Sequence, residues 1–290
     1  MKRSEFLKRL GILGVGAIGL NQFLKAADDL PWMGMQTPAL FIGHGSPMNI
    51  VADNSYTKAL KQLGQTLDRP KAILVISAHW LTRGTYVSST SRPKTIHDFY
   101  GFPDELYEVQ YPAPGTSGAA ELTSNALKGF DAMYDNRRGL DHGAWSVLMH
   151  MYPKADIPVY QLSIDGSRSL EEMYQIGKKL RKLREKGIMV IGSGNITHNL
   201  SLMSAEEDAP PFDWAEEFDA MVMNMLDRQD PKALVNYESW GEISKKAHPS
   251  NDHFLPLIYS VGLRLPDEPL KYIHEGFSHG SISMRCVQFG

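Results

Sequence analysis

The chain contains a single cysteine among its 290 residues, and this scarcity restricts the cofactor sites that it can build. One thiol excludes an intrachain disulfide framework, a cysteine-rich zinc site and a cysteine-ligated iron–sulfur cluster within one chain. Histidine, in contrast, occurs ten times. A metal site in this protein must therefore use histidine and carboxylate ligands.

The chain also has no excess of positive charge. Thirty basic residues against 33 acidic residues give a net charge of −3, so we expect no nucleic-acid partner. Hydrophobic residues make up 42% and charged residues 22%, which is typical of a soluble globular protein. The length suits one large domain with a substantial core.

The first 27 residues have the pattern of a secretory signal peptide. A basic start precedes an apolar run that is too short to span a bilayer, and Leu24 and Ala26 suit cleavage after Ala26. An amphipathic helix packed on the domain is the alternative interpretation. Export would place the protein in the periplasm without stable membrane insertion, whereas an unused signal would leave it in the cytoplasm. We predict a catalytic domain over residues 36–290.

Short β-branched runs alternate with helical patterns along the rest of the chain. This alternation predicts a single α/β domain with a mixed central sheet and helices on both faces. The predicted strands are 38–42, 72–77, 157–162, 188–191, 271–273 and 281–287, and the predicted helices are 56–67, 117–130, 170–185 and 214–228. Residues 89–115 carry four prolines and no periodicity, which indicates a long loop at an active-site wall.

Three histidines follow predicted strands. His44, His79 and His198 each come shortly after a buried apolar run, in segments rich in glycine or serine. Open α/β sheets bind their ligands at the carboxyl ends of strands, so these three side chains are candidates for one shared site. Imidazole ligands suit zinc, iron, copper or nickel. The sequence therefore predicts a metal site at the carboxyl ends of the strands.

Two further histidines are candidates for the same site. His142 follows Asp141, which we predict to cap a helix beginning there. His248 and His253 are about 140° apart around a regular helix, so they cannot both face one metal. We expect His253, in the first turn of the last long helix, to be the ligand.

Eight motifs occur in an order that resembles the DOPA-dioxygenase-type branch of the class III extradiol ring-cleavage dioxygenases, which is related to the catalytic subunit of protocatechuate 4,5-dioxygenase. The resemblance covers the chain from about Pro38 to its end. The motifs are GHGSP (43–47), SAHW (77–80), HDFYGFP (97–103), YPAPG (111–115), DHGAW (141–145), GSGNITHN (192–199), DHFLPL (252–257) and GSISM (280–284).

The resemblance implies one divalent non-haem metal that serves to open a catechol-type, DOPA-like ring with O2. His44 and His79 match metal ligands of the family, and His253 matches the third ligand position. The usual iron triad contains a carboxylate, so Asp252 is the alternative third ligand. Ring cleavage needs a redox-active metal, which favours Fe(II), although an all-histidine site also suits Zn(II).

The resemblance also implies roles for residues beside the metal. His198 matches a histidine that is either a fourth ligand or the catalytic acid–base, and His142 matches one that helps to bind or deprotonate the substrate. Apart from the resemblance, the aromatic segments that flank the predicted site lead us to expect that His97, Trp80 and Tyr100 contact the substrate ring.

Two other functions compete with ring cleavage. A zinc-dependent hydrolase could use the same histidines, and a non-catalytic protein could use the same fold to bind a metal or an aromatic molecule. The pair of histidines beyond the ligand set favours catalysis, because a binding protein needs no acid–base pair. The expected partners are a small catechol and O2, and a homodimer is left open.

Overall fold

The structure is a computed structural model that describes residues 36–290, and the predicted signal peptide lies outside the described residues. The strands are β1 (Ala39–Gly43), β2 (Ala72–Ser77), β3 (Leu81–Thr82), β4 (Tyr86–Ser88), β5 (Met133–Asp135), β6 (Val159–Gln161), β7 (Ile164–Asp165), β8 (Ile188–Gly194), β9 (Leu270–His274), β10 (Phe277–Ser278), β11 (Ile282–Ser283) and β12 (Cys286–Phe289). The α-helices are α1 (Ser55–Thr66), α2 (Asp104–Glu108), α3 (Ser117–Ala126), α4 (His142–Met151), α5 (Leu170–Arg184), α6 (Asp213–Asp227), α7 (Pro231–Val235), α8 (Glu242–Ala247) and α9 (Leu255–Leu263). Short 3-10 helices cover Pro47–Ile50, Leu200–Leu202 and Tyr237–Trp240.

The central sheet has six strands in the order β6-β2-β8-β1-β12-β9. The first four are parallel neighbours, whereas β12 runs antiparallel to both β1 and β9. The carboxyl ends of the four parallel strands therefore lie at one edge, where the following loops leave the sheet side by side. The predicted mixed sheet is confirmed.

Alternate residues of the central strands contribute to two separate cores. Ala39 and Phe41 of β1 pack in the core that includes α5, α6 and α9, whereas Leu40 and Ile42 pack in the core that includes α1 and α4. Successive side chains of a strand point to opposite faces of the sheet, so each strand is buried on both sides. The predicted helices on both faces are confirmed.

Helix α9 packs closely against α5 because glycines on both helices leave room for the facing backbone. A side chain at Gly177 would collide with the backbone of Tyr259, and one at Gly262 would collide with the backbone of Tyr174. Helix α9 begins just after His253. The α5–α9 packing therefore helps to fix where His253 reaches the sheet edge.

Three predicted elements differ from the structure. The strand predicted over 281–287 is divided into β11 and β12, because Ser283 donates a side-chain hydrogen bond to Asp219 and the Met284 amide bonds the Gly276 carbonyl. Helix α9 begins at Leu255, so His253 lies in the turn before this helix and not in its first turn. The predicted loop 89–115 contains the short helix α2. No helix within residues 36–290 is long and apolar enough to cross a membrane.

Candidate metal centre

Three histidines converge at the carboxyl edge of the central sheet. His44 follows β1, His79 follows β2, and His253 precedes α9. One ring nitrogen of each lies within 4.8 Å of the others, and the Nε2 atoms of His44 and His79 are 3.1 Å apart. These three side chains, called the three-histidine cluster below, are those that the sequence predicts as metal ligands.

His253 reaches the cluster because its backbone lies directly against the end of β8. The Asn195 amide donates a 2.9 Å hydrogen bond to the His253 carbonyl. A side chain at Gly194 would collide with that same carbonyl oxygen. Glycine at position 194 is therefore needed for this close approach of the two segments.

Two rings of the three-histidine cluster are held by hydrogen bonds through Nδ1. Ser193 Oγ donates its proton to the Gly143 carbonyl, so its 3.0 Å contact with His44 Nδ1 must be a hydrogen bond donated by the imidazole. His253 Nδ1 lies 2.6 Å from the Asp252 carboxylate, which can only accept. Both rings therefore carry their proton on Nδ1, and Nε2 is left as a free donor of electrons to a metal.

Asp252, the alternative third ligand, is the hydrogen-bond partner of His253. Its carboxylate oxygen contacts His253 Nδ1, and the three-histidine cluster forms without it. Burial by itself would raise the pKa of Asp252, but the hydrogen bond and charge interaction with His253 lower it well below its usual value. Asp252 is therefore placed to orient His253.

The cluster residues have the protonation state that a metal requires. Burial is the main cause that lowers the pKa of His44 and of His253 well below the usual value, and neighbouring imidazoles add to it. Burial, followed by the proximity of His142, lowers the pKa of His79 to about 4. The three rings are neutral near pH 7, which is the form that coordinates metals.

The spacing of His44 and His79 fits a bound metal. Two ligand nitrogens at ~2.1 Å from one ion and at a right angle to each other are ~3.0 Å apart, which is close to the 3.1 Å between these Nε2 atoms. At this distance the two Nε2 atoms can share a hydrogen bond when one of them carries a proton, or a cation when both are bare. The donor set therefore fits one divalent metal with nitrogen ligands.

His198 lies beside the cluster, with its ring flat against the ring of His253. The two centroids are 3.5 Å apart and the rings are inclined by 7°. Backbone contacts produce this arrangement, since the His198 amide bonds the Ala247 carbonyl and His248 Nε2 lies 2.6 Å from the Ile196 carbonyl. Burial lowers the pKa of His198 to about 4.

His142 is the fifth histidine at this edge, and its ring centroid is 4.0 Å from that of His79. It is the first residue of α4, and the preceding Asp141 accepts a hydrogen bond from the Ala144 amide, as predicted for a helix cap.

The Asp141 carboxylate is fully buried and also accepts hydrogen bonds from Ser77, Arg138 and Gln161. This buried network fixes the start of α4, and with it His142.

The three residues expected at the substrate ring lie in different surroundings. His97 Nε2 is 2.9 Å from the Val109 carbonyl, and its ring packs against Trp145. Trp80 is buried, with the Arg138 guanidinium 5.0 Å from its ring centroid. Tyr100 is 92% exposed. Among the described ring contacts, none joins these three side chains directly to the three-histidine cluster.

Sequence reasoning missed Asp98, whose carboxylate lies among the histidines. Its Oδ2 atom is 3.1 Å from His142 Nδ1 and 3.4 Å from His79 Nδ1. Burial by itself would raise the pKa of Asp98, but its contacts with His142 and His79 lower it to about 2. Asp98 lies in an aperiodic loop, and its place in the motif HDFYGFP (97–103) is the signal that could have identified it.

The chain matches a protein-family model over residues 38–290, and that family is described as the catalytic LigB subunit of aromatic ring-opening dioxygenase. It is 45% identical over 268 residues to a 4,5-DOPA dioxygenase extradiol of Escherichia coli K12, covering 90% of this chain and 98% of that protein. It is 37% identical over 257 residues to a 4,5-DOPA dioxygenase extradiol of Beta vulgaris, covering 86% and 95%.

A solved structure has the same fold. The crystal structure of an uncharacterized protein from Escherichia coli K12 aligns with a TM-score of 0.78 and 42% sequence identity. The alignment covers 88% of this chain and all of that chain. The fold and the sequence therefore lead to the same group of proteins.

Proposed function

The chain belongs to the family of the catalytic LigB subunit of aromatic ring-opening dioxygenases, and we propose that it opens a DOPA-like catechol ring beside its two hydroxyl groups, with Fe(II) as its working metal. Extradiol ring cleavage is the activity in the names of its curated relatives, which cover most of the chain. The proposal of a DOPA-like substrate rests on those names, and the choice of iron rests on the redox chemistry that ring opening with O2 requires.

One observation carries the proposal: three neutral imidazoles converge, and two further histidines stand beside them. His44, His79 and His253 form the ligand set. His142 and His198 lie in ring contact with that set. A site that only binds a metal has no need of the second pair, whereas a reaction that moves protons does.

The metal supplies two functions when it is bound: it holds the catechol oxygens as a Lewis acid, and as Fe(II) it can also pass electron density between the ring and O2. Zinc is redox-inert and can supply only the first function. Ground-state O2 is a triplet and reacts slowly with a closed-shell catechol. For this reason we propose Fe(II) rather than Zn(II).

We propose that His198 is the acid–base residue rather than a fourth ligand. A catechol hydroxyl, with a pKa near that of tyrosine at ~10, must lose a proton on binding, and a neutral imidazole can accept it. The His198 ring is neutral, buried and adjacent to the ligand His253. The same ring nitrogen can later return the proton to the ring-opened product.

We propose that His142 holds the second substrate oxygen. Its ring lies between that of His79 and the aromatic side chain of Phe99, whose centroid is 5.6 Å away. Phe99 is itself in contact with Phe102 and Tyr107. We place the flat face of the substrate ring against this aromatic group. Tyr100 and His97 lie on the same loop as Phe99, and Trp80 directly follows His79 in the chain.

Oxygen uptake by the Fe(II)-loaded protein tests the proposal. The protein is purified without oxygen, loaded with Fe(II), and mixed with L-DOPA or other catechols in air-saturated buffer. We expect one O2 consumed per catechol and a yellow ring-opened product, with neither in a His44→Ala variant. No oxygen uptake across the catechol panel by protein with bound iron would contradict the proposal.

We also propose that the protein is exported through its N-terminal signal, on the sequence pattern of residues 1–27. Sequencing the amino terminus of the native protein tests this, since an intact Met1 would contradict it. Light scattering of the same preparation would show whether the mature chain forms the homodimer that the sequence leaves open.

A further inference from the structure

A single carboxylate lies between a candidate metal ligand and a candidate catalytic histidine. Asp98 Oδ2 is 3.1 Å from Nδ1 of His142 and 3.4 Å from Nδ1 of His79. Its other oxygen, Oδ1, accepts a 2.8 Å hydrogen bond from the His142 backbone amide. The Asp98 side chain is 22% exposed while the residue as a whole is exposed, so the carboxylate lies at the solvent-facing rim of the site.

His79 turns opposite edges of its ring toward the metal position and toward Asp98. Its Nε2 atom faces the Nε2 of His44, and its Nδ1 atom faces the carboxylate. A carboxylate this close to Nδ1 favours the tautomer with its proton on that nitrogen, which leaves Nε2 free to coordinate. Asp98 thus faces His79 as Asp252 faces His253, but its contact is longer, at 3.4 Å against 2.6 Å, and only the Asp252 contact has hydrogen-bond geometry.

His142 depends on the same carboxylate. Its Nδ1 atom is buried and has no aligned hydrogen-bond partner among the described residues, and Asp98 is the acceptor within reach at 3.1 Å. A carboxylate at this distance favours the tautomer with its proton on Nδ1. In that tautomer the bare Nε2 atom is the one that can accept a hydrogen bond from a substrate hydroxyl.

We propose that Asp98 is a positioning residue that serves two histidines at once: it orients His79 as a metal ligand and His142 as an acceptor for the substrate hydroxyl. The role of Asp98 toward His142 rests on the proposed function, whereas its role toward His79 concerns metal binding alone. It also ties the loop that carries Phe99 and Tyr100 to the metal centre, because Asp98 belongs to that loop.

Zinc binding tests the His79 role without any assay of catalysis. The Asp98→Asn variant keeps the size of the side chain and an oxygen for the His142 amide, but it removes the negative charge. We expect its affinity for Zn²⁺, measured by competition with a chromophoric chelator, to fall by about 10- to 100-fold. Asp104→Asn, an exposed change on the same loop, should bind Zn²⁺ as the wild type does.

The melting temperatures of the metal-free variants show whether the fold is intact. Metal-free Asp98→Asn should melt close to the metal-free wild type, so that a loss of affinity reports on the site. A Zn²⁺ affinity of Asp98→Asn within two- or three-fold of the wild type would overturn the role toward His79.

Kinetics at saturating Fe(II) test the His142 role. We expect Asp98→Asn and His142→Ala each to lower kcat/KM, and the double variant to lose little more than His142→Ala alone, because Asp98 acts there through His142. Additive losses would overturn this role. If the wild-type protein itself does not open catechols, the proposed function fails. The zinc measurement still decides the role of Asp98 toward His79 in that case.

Discussion

The imidazole of His198 lies parallel to that of His253, with ring centroids 3.5 Å apart and planes inclined by 7°. One ring nitrogen each of His44, His79 and His253 lies within 4.8 Å of the others, and His198 is not a member of this group. A ring that is stacked beside the three candidate ligands favours the proposed acid–base role of His198 over a place as a fourth ligand.

His198→Ala should separate these two roles. We expect the variant to retain the metal, measured by elemental analysis after anaerobic purification, while kcat falls by about 10²- to 10⁴-fold through loss of the proton acceptor. Metal content close to zero in this variant would instead make His198 a ligand. His279→Ala is a suitable control, since its Nδ1 atom lies 2.9 Å from the Ser204 carbonyl and no described ring contact joins it to the three-histidine cluster.

Gly194→Ala should damage the site without changing a ligand. The new methyl group would collide with the His253 carbonyl, so the segment before α9 must move away from β8. We expect a loss of about 1–3 kcal/mol in the free energy of unfolding, measured by denaturant titration. Metal affinity should fall in parallel, because His253 moves with its backbone.

Gly118→Ala is the matched control for that substitution. Gly118 lies in α3, and nothing lies within 4 Å of the position its side chain would take. Alanine there should leave metal affinity unchanged and stability equal or slightly higher. Wild-type metal affinity in Gly194→Ala would show that His253 does not need this close approach.

Paired variants should identify the third ligand. We expect His253→Ala to lose a ligand and with it most metal binding, whereas Asp252→Asn should weaken binding by about 10- to 100-fold, because Asp252 only orients the ring. Elemental analysis and chelator competition on the two proteins measure the difference. The reverse order of severity would assign the third position to Asp252.

The sequence predicts the strand-end histidines because each one follows a recognisable element. A buried apolar run in an α/β protein indicates a parallel strand, and parallel strands end at one edge, so His44 and His79 could be brought together without any knowledge of contacts. The apolar runs also predict the buried strands β2 and β8 and the two-faced core.

The residues that support the ligands could not be predicted in this way. Ser193 contacts His44 across 149 residues, and the Asp98 carboxylate accepts a hydrogen bond from the His142 amide across 44 residues. Such pairs depend on how separate segments pack, which local periodicity does not encode. The position of His253 before α9 was mispredicted because helix starts depend on capping contacts and on the close approach at Gly194.

The facing Nε2 atoms of His44 and His79 predict that the metal stabilises the fold. These atoms are 3.1 Å apart, and one ring nitrogen of His253 lies within 4.8 Å of them, so a cation bound there would link three separate segments of the native fold. A metal that binds only the native state adds about 2.7 kcal/mol at 100 times its dissociation constant. For a domain of this size, that corresponds to a rise of roughly 5–10 °C in melting temperature.

Calorimetry of chelator-treated protein, with and without added Zn²⁺, measures this shift in melting temperature, and the His44→Ala variant should show little of it. Equal melting temperatures for the metal-free and zinc-loaded wild type would mean that these rings hold no metal.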